Sequence, residues 1–440
     1  MQSTASYTGA ARDTGLVAVG ILVVAVIYLL QIFSPMRLID DGVVYLSLAT
    51  SAVDGHGFVY HGSPERYPPG YPALIYLLVK SGLGYSWAFN GLNLLFLALG
   101  FTASYHTLRG WMDLTGGRAL LLCCMSMLSF ILIKHAVLMV SDPVFFGASV
   151  SCLWALLWAE RAESIGLRCL RLAAAVALCV FATSVRVIGI ALLPSILFVA
   201  LGGAPALKRW GTMLRQKQGD FAVAAMGALL LGIVATVAIT GSRYFHMAAA
   251  NYQARGLSRS VVKAVEFQVG EWGEFVMNVP QAKLPAPLRP AILLAGIIAL
   301  AMVGSVVWRR RQDAGPIELY LIAYLIILLA APWQDARYLL PVVPLLLGYL
   351  ALFDETFLRG TAVRFVPLAY FVWFSVLGVA ALAYSTRITF SGASFPDIYG
   401  DGTMRATYRE AYGESAGTGS SQVNPEALEL LLRYEPRFRR

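Results

Sequence analysis

The stretch from Gly15 to Phe33, GLVAVGILVVAVIYLLQIF, runs nineteen residues without a charge and is followed at once by SPMRLIDDGVVY, Ser34 to Tyr45. Nineteen apolar residues approach the ~20 that a helix needs to cross a bilayer. Asp40 and Asp41 therefore stand where that helix leaves the membrane. Adjacent carboxylates cannot share one face of a helix or strand, so at most one of them points into a site while the other caps, pairs or faces water. The alternative makes Asp41 an N-cap for a helix opening Gly42-Val43-Val44-Tyr45-Leu46.

Composition extends this reading to the whole chain. Of 440 residues, 58% are hydrophobic and 13% charged, and the mean hydropathy is +0.67. That is too apolar for a surface facing water, so the chain is expected to be a polytopic membrane protein. The cysteines, Cys123, Cys124, Cys152, Cys169 and Cys179, fall in or beside apolar segments without metal-type spacing and read as small buried hydrophobes. The net charge of +9 is scattered between apolar spans, which argues against a nucleic-acid-binding face. The first apolar stretch lacks a small-residue cleavage pattern and is expected to remain as an anchor.

Apolar segments recur at about 16–30, 86–108, 119–133, 143–159, 172–184, 187–203, 221–241, 291–308, 316–332, 338–353 and 365–385. They predict an all-α bundle of eleven spans, with the short ones leaving a range of ten to thirteen. With the N-terminus inside, the inner loops hold fourteen basic residues: Arg109, Arg118, Arg161, Arg168, Arg171, Lys208, Arg209, Arg215, Lys217, Arg309, Arg310, Arg311, Arg359 and Arg364. Short outer loops hold three, Lys134, Arg186 and Arg337. Positive residues gather on the cytoplasmic side. The expected organisation is a membrane module over 1–385, with external loops at 34–85 and 242–289 and a small external tail at 386–440.

The first external loop carries Gly55-His56-Gly57-Phe58, then Arg66-Tyr67-Pro68-Pro69-Gly70-Tyr71-Pro72 and an apolar run from Ala73 to Val79 too short to span. It suits helices lying in the interface, with Tyr60, Tyr67, Tyr71 and Tyr76 at headgroup depth. The diproline fixes the direction of the helix after it, or is simply a rigid turn. At the next outer turn, Ser141-Asp142-Pro143 is a helix start in which Ser141 or Asp142 caps, and Lys134 and His135 stand nearby. Asp142 shares its side of the membrane with Asp41, where an ionisable group is a functional candidate.

Arg186 interrupts the apolar run Phe181 to Gly189 and needs a carboxylate, an anionic ligand or a snorkelling path to the interface. Arg337 opens Arg337-Tyr338-Leu339-Leu340-Pro341-Val342-Val343-Pro344, where its planar fork suits phosphate; an ion pair with Asp335 is the alternative. The loop 242–289, with Arg243, Tyr244, His246, Tyr252, Arg255, Arg259, Glu271, Trp272 and Glu274, is a candidate lid or acceptor-binding element. The tail is too small for a robust core of its own and either packs on the external loops or is partly disordered.

Four of these pieces, in this order and on one side of the membrane, resemble the integral-membrane glycosyltransferases of the GT-C class. They are Asp41 four residues before Tyr45, Tyr67-Pro68-Pro69-Gly70-Tyr71-Pro72, Ser141-Asp142-Pro143, and Arg337-Tyr338 with its two prolines. The similarity is to bacterial relatives of the protein O-mannosyltransferases and to the lipid A aminoarabinose transferase. Those enzymes commonly carry Asp-Glu where this chain has Asp41-Gly42. The aminoarabinose type has a lysine before its diproline, where this chain has Tyr67, with Arg66 as the substitute.

The resemblance implies transfer of a sugar from a polyprenyl-phosphate donor to an acceptor hydroxyl on the outer face of the inner (cytoplasmic) membrane, with inversion. Asp41 is then the general base. Asp142 is the second catalytic carboxylate, orienting the acceptor or raising the basicity of Asp41. Arg337, Arg186, Arg66 and Tyr338 hold the donor phosphate. Asp40, Tyr45, Tyr67, His56 and Lys134 are candidates for substrate contact. No cofactor is expected, because the leaving group is a good one; a divalent ion between Asp41 and phosphate is the alternative. The acceptor is a glycolipid, a polysaccharide or a protein. Rival readings are a lipid or sugar transporter, for which no internal repeat is evident, and a non-catalytic subunit of cell-envelope assembly.

Overall fold

The computed structural model of the chain describes residues 4–64, 67–202, 249–250, 253–254, 256–311, 314–330, 335–358, 365–400, 402–414 and 422–438. The chain opens with helix α1 (Thr4–Leu30), then α2 (Asp40–Val53), a hairpin of strands β1 (Val59–Tyr60) and β2 (Ser63–Pro64), and α3 (Gly70–Lys80). There follow α4 (Ser86–Trp111), α5 (Gly116–Met127), α6 (Phe130–His135), α7 (Asp142–Glu160) and α8 (Ile165–Val185). A 3-10 turn, Val187–Leu192, leads into α9 (Leu193–Ala200). Later come α10 (Leu257–Met277), α11 (Arg289–Arg309) and α12 (Pro316–Ala330). A second 3-10 turn, Ala336–Val342, precedes α13 (Val343–Phe353), then α14 (Val366–Thr389), α15 (Thr403–Ala411) and α16 (Pro425–Tyr434).

The chain is an all-α polytopic membrane protein. Among the described residues six helical stretches are long and apolar enough to span: α4, α7, α8, Ala286–Arg309, Ala336–Leu358 and α14. Shorter apolar helices occupy Val17–Phe33, Gly70–Lys80, Gly116–Met127, Val187–Ala200 and Pro316–Leu329. The expected span at 221–241 lies outside the described residues. Buried fractions sort the helices into layers. Some 78% of the apolar window of α7 and of Ala336–Leu358 is buried, against 17% for α8 and α14. The outer helices expose leucine, isoleucine and valine, such as Leu294, Ile297 and Ile298 on α11 and Val372, Val376 and Val379 on α14. Bare apolar faces of this extent suit lipid rather than water.

The central packing is α4 against α7. A Cβ on Gly147 would lie 2.5 Å from the Phe96 carbonyl oxygen, so glycine there lets the two backbones meet, as small residues do between membrane helices. Cys123, Cys152 and Cys179 are buried and Cys124 half-buried, filling space as small apolar groups. Cys169 differs: it is exposed on α8 between Arg168 and Arg171. Within 242–289, α10 buries Trp272 and Phe275 and packs on α11. In the C-terminal segment α15 and α16 pack on each other, and α16 packs on α2. Of the two readings of the tail, packing describes these residues.

Candidate active site

Two extended segments run side by side into the starts of α2 and α7. Arg37 pairs in parallel with Leu138, and the Met139 N–H donates to the Arg37 carbonyl at 3.1 Å. This contact places Asp41 and Asp142, each in the first turn of its helix, at one end of the bundle. Carboxylates there complement the positive helix end. A Cβ on Gly42 would lie 2.8 Å from the Met139 carbonyl oxygen and 3.0 Å from its Cβ. The small residue after Asp41 is therefore what allows α2 to begin against the segment leading to Asp142.

Asp41 does not cap α2. The cap position belongs to Ile39, with no side-chain hydrogen bond, and both aspartates lie inside the first turn. Asp40 is exposed and Asp41 half-buried. The Asp41 carboxylate meets Arg337 Nη2 at 2.7 Å. Ser141 holds the cap position of α7, also without a side-chain bond. Asp142, 1% exposed, pairs instead with Arg186 Nη1, and its Oδ2 has no hydrogen-bond partner.

Both arginines sit at breaks between helices. Arg186 is the last residue before the turn Val187–Leu192 and Arg337 opens the turn Ala336–Val342. A 3-10 turn leaves backbone groups and side chains less regularly engaged than an α-helix, and here each turn aims a guanidinium at the same end of the bundle. Tyr338 serves both: Arg186 lies 5.1 Å and Arg337 5.3 Å from its ring centroid, within cation–π range. Burial works against the Arg186 charge, but Asp142 together with Tyr338 and Tyr45 more than offsets it and holds the guanidinium protonated. Arg337 also approaches Asp335, its Nε at 3.2 Å from Oδ2 and its backbone N–H donating to Oδ1 at 3.0 Å. Nε and that carboxylate are close enough for an ion pair but lack hydrogen-bond geometry. One guanidinium thus meets both Asp41 and Asp335.

Aromatic rings form the wall. Tyr45 packs edge-to-face on Tyr67 at 5.7 Å and on Tyr71 at 5.3 Å, and its hydroxyl lies 3.3 Å from Ser141 Oγ. Burial, with the Asp41 charge added, pushes the Tyr45 phenol up to about 12, so it is a neutral donor. The diproline does more than turn the chain. It delivers Gly70 against the end of α8, where a Cβ would lie 2.7 Å from the Ser184 backbone carbonyl, two residues before Arg186.

No protein-family model matches the chain, and no curated protein matches it in sequence. Solved structures do. The lipid A aminoarabinose transferase ArnT of Cupriavidus metallidurans in the apo state is 16% identical, with a TM-score of 0.54 over 96% of this chain and 85% of that one. The same enzyme bound to undecaprenyl phosphate is 15% identical, with a TM-score of 0.50 over the same shares. The oligosaccharyltransferase of Archaeoglobus fulgidus in the apo form is 13% identical, with a TM-score of 0.51 over 95% of this chain and 64% of that one.

The fold is that of the GT-C transferases.

Within this GT-C fold the residues singled out by sequence separate into two groups. Asp41, Asp142, Arg186, Arg337, Tyr338, Tyr45 and Tyr67 are connected through the contacts above. His56 is exposed beyond the far end of α2, about 20 Å along the helix from Asp41 at ~1.5 Å per residue. Lys134 is exposed at the end of α6, where its charge is among those that hold the Asp335 carboxyl low. Arg66, with Arg243, Tyr244, His246, Tyr252 and Arg255 of the long loop, lies outside the described residues. Sequence reasoning passed over Tyr324 and Asn93 and named Glu271 only as part of a candidate lid or acceptor-binding element. Glu271 accepts the Asp335 N–H at 2.6 Å, Tyr324 donates to the Tyr338 carbonyl at 2.7 Å, and Asn93 accepts from the Tyr71 hydroxyl and donates to the Leu138 carbonyl at 2.8 Å. Their one signal was a polar atom inside an apolar helix.

Proposed function

We propose that the protein is a membrane glycosyltransferase that moves a sugar from a polyprenyl-phosphate donor to an acceptor hydroxyl, with inversion and with Asp41 as general base. The observation that carries this reading is the ion pair of Asp41 with Arg337, 2.7 Å long and still partly open, beside a second carboxylate–guanidinium pair at one end of a GT-C fold. The ArnT structure bound to undecaprenyl phosphate supports the class of donor. In this scheme the module spans the inner membrane with its N-terminus inside, α2 and α3 lie at the outer interface, and the site is extracytoplasmic.

An arriving donor phosphate competes with Asp41 for Arg337. A guanidinium offers phosphate a planar fork of donors, and Arg186 adds a second positive charge within reach. The exchange releases the Asp41 carboxylate next to the anomeric carbon. The acceptor oxygen then attacks C1, its proton passes to Asp41, the C1–O bond to phosphate breaks, and the prenyl phosphate leaves as an anion stabilised by the two arginines. Asp142, sealed at 1% exposure, holds Arg186 in place beside the donor site. Tyr67, half-buried over Tyr45, gives the sugar an apolar face to lie on. The active module is 1–385, and the tail supports it.

The test is transfer of radiolabel from a panel of polyprenyl-phosphate sugars by purified protein in lipid, comparing the wild type with Asp41→Asn, with and without chelator. Transfer by the wild type alone, with donor still bound by the variant, is the expected result. Equal turnover by the variant removes Asp41 from the role. Loss of transfer with chelator assigns a divalent ion to the site.

A further inference from the structure

The segment that carries Asp41 into place is a strand edge without a sheet. Its Arg37 carbonyl is used by Met139, on the side facing the segment before Asp142. In an extended chain the backbone groups of alternate residues point to opposite sides. Met36 and Leu38 therefore present theirs away from that partner. Both residues are fully buried, where an unpaired backbone N–H or carbonyl costs as much as a lost hydrogen bond.

The C-terminal tail supplies the missing partners from side chains. The Met36 N–H donates to Glu435 Oε2 at 2.7 Å. The Leu38 N–H donates to the Tyr408 hydroxyl at 2.9 Å, and that hydroxyl donates onward to the Met36 carbonyl at 2.5 Å. Tyr408 and Glu435 thus do together what a neighbouring strand would do. Tyr408 is itself fixed: it is fully buried, stacked on Tyr399 at 4.8 Å and against Phe395 at 5.3 Å. Further along, α16 holds α2 through Glu426 with Ser47, Tyr434 with Thr50 at 2.8 Å, and Arg433 with both carboxylate oxygens of Asp54. The tail grips the chain immediately before Asp40-Asp41 and again along the helix they begin.

We propose that the C-terminal tail is a positioning element for the general base, with Tyr408 and Glu435 as the positioning residues that hold Met36–Leu38 in register and so set Asp41 against Arg337 and the acceptor. The inference rests on the transferase reading of Asp41. Neither residue touches the reacting atoms. Their effect is geometric, and misplacement of a catalytic group by about 1 Å lowers turnover by on the order of a hundredfold.

The experiment uses the full chain in lipid nanodiscs with a donor that the wild type turns over. Tyr408→Phe removes both hydrogen bonds and keeps the stacked ring; Glu435→Gln keeps an acceptor oxygen, and Glu435→Ala does not. The readouts are kcat, donor KM and amide exchange over residues 36–46, at a temperature well below melting. Tyr408→Phe and Glu435→Ala are expected to raise exchange and lower kcat by about tenfold, the equivalent of one hydrogen bond, with donor KM within about twofold. Glu435→Gln is expected to follow the wild type. Unchanged exchange, or faster exchange with unchanged kcat, overturns the proposal while leaving the transferase reading intact. A folded wild type with no turnover on any donor refutes the transferase reading and this one with it.

Discussion

Two carboxylate–guanidinium pairs stand side by side at the end of the bundle, and they are built differently. Asp142 and Arg186 are sealed, their side chains 1% and 14% exposed. Asp41 and Arg337 are more open, at 22% and 12%, with the carboxylate the more accessible partner. Breaking a buried pair leaves an uncompensated charge and is strongly destabilising, but Arg337 keeps Asp335 when it gives up Asp41 and is not left alone. The first pair is a fixed post that holds α7 to the end of α8. The second is a contact that a ligand anion can replace. Identical chemistry is divided between scaffold and site by the exposure of the carboxylate and by the second partner of Arg337.

That division is broken first by Asp41→Asn. Turnover should fall by about 10²–10⁴-fold, the usual contribution of a general base, while the melting temperature stays near that of the wild type. One of the two internal competitors for Arg337 is also gone, so donor should bind at least as tightly in equilibrium binding to nanodiscs. Asp142→Ala should do the reverse. It leaves Arg186 buried and unpaired, and unfolding in detergent–denaturant titrations should be easier by about 3–5 kcal/mol. If the two variants show the same balance of activity and stability loss, the contrast between post and contact is wrong.

Arg337→Lys sharpens the same contrast with a smaller effect. Lysine keeps the charge but not the planar fork that meets Asp41 and Asp335 together. Donor KM should rise by about tenfold, the equivalent of one charge-assisted hydrogen bond, with the melting temperature little changed. Initial rates across donor concentration measure it. An effect on kcat alone would mean that Arg337 acts in the transition state rather than on the bound donor.

The membrane architecture and the four charged positions were legible because a charge at the end of an apolar span is rare and its cost demands a partner. Which carboxylate meets which guanidinium was not. Asp335 lies two residues from Arg337 and suggested itself; Asp41 reaches the same side chain only because the segments at Arg37 and Leu138 run in parallel. The short spans hid that they open on 3-10 turns, Val187–Leu192 and Ala336–Val342, rather than on α-helix. His56 looked as promising as Tyr67, yet the length of α2 carries it away from the site. The tail was hardest. Tyr408 and Glu435 act through single atoms on backbone groups, and no periodicity announces such a contact.

The smallest effect concerns the mounting of the open pair. Glu271, 1% exposed, accepts the Asp335 N–H through Oε1 while its Oε2 has no hydrogen-bond partner. Burial pushes its carboxyl up to about 8, the Asp335 N–H works the other way, and the Asp335 and Glu274 charges add to the rise. A carboxyl whose folded-state pKa is raised binds more protons folded than unfolded between its ordinary value near 4.5 and about 8. Stability therefore falls as pH rises through that window and stays lower above it. Glu271→Gln keeps an oxygen for the Asp335 N–H and cannot ionise. Its melting temperature should track the wild type near pH 5 and exceed it by a few degrees above pH 8, a shift of the size that ~1–2 kcal/mol produces. Thermal melts across pH 5–9 measure the divergence. Parallel curves would show that Glu271 is ionised throughout, so that Arg337 is mounted on a second negative charge and its pair with Asp41 is tighter against exchange than its exposure implies.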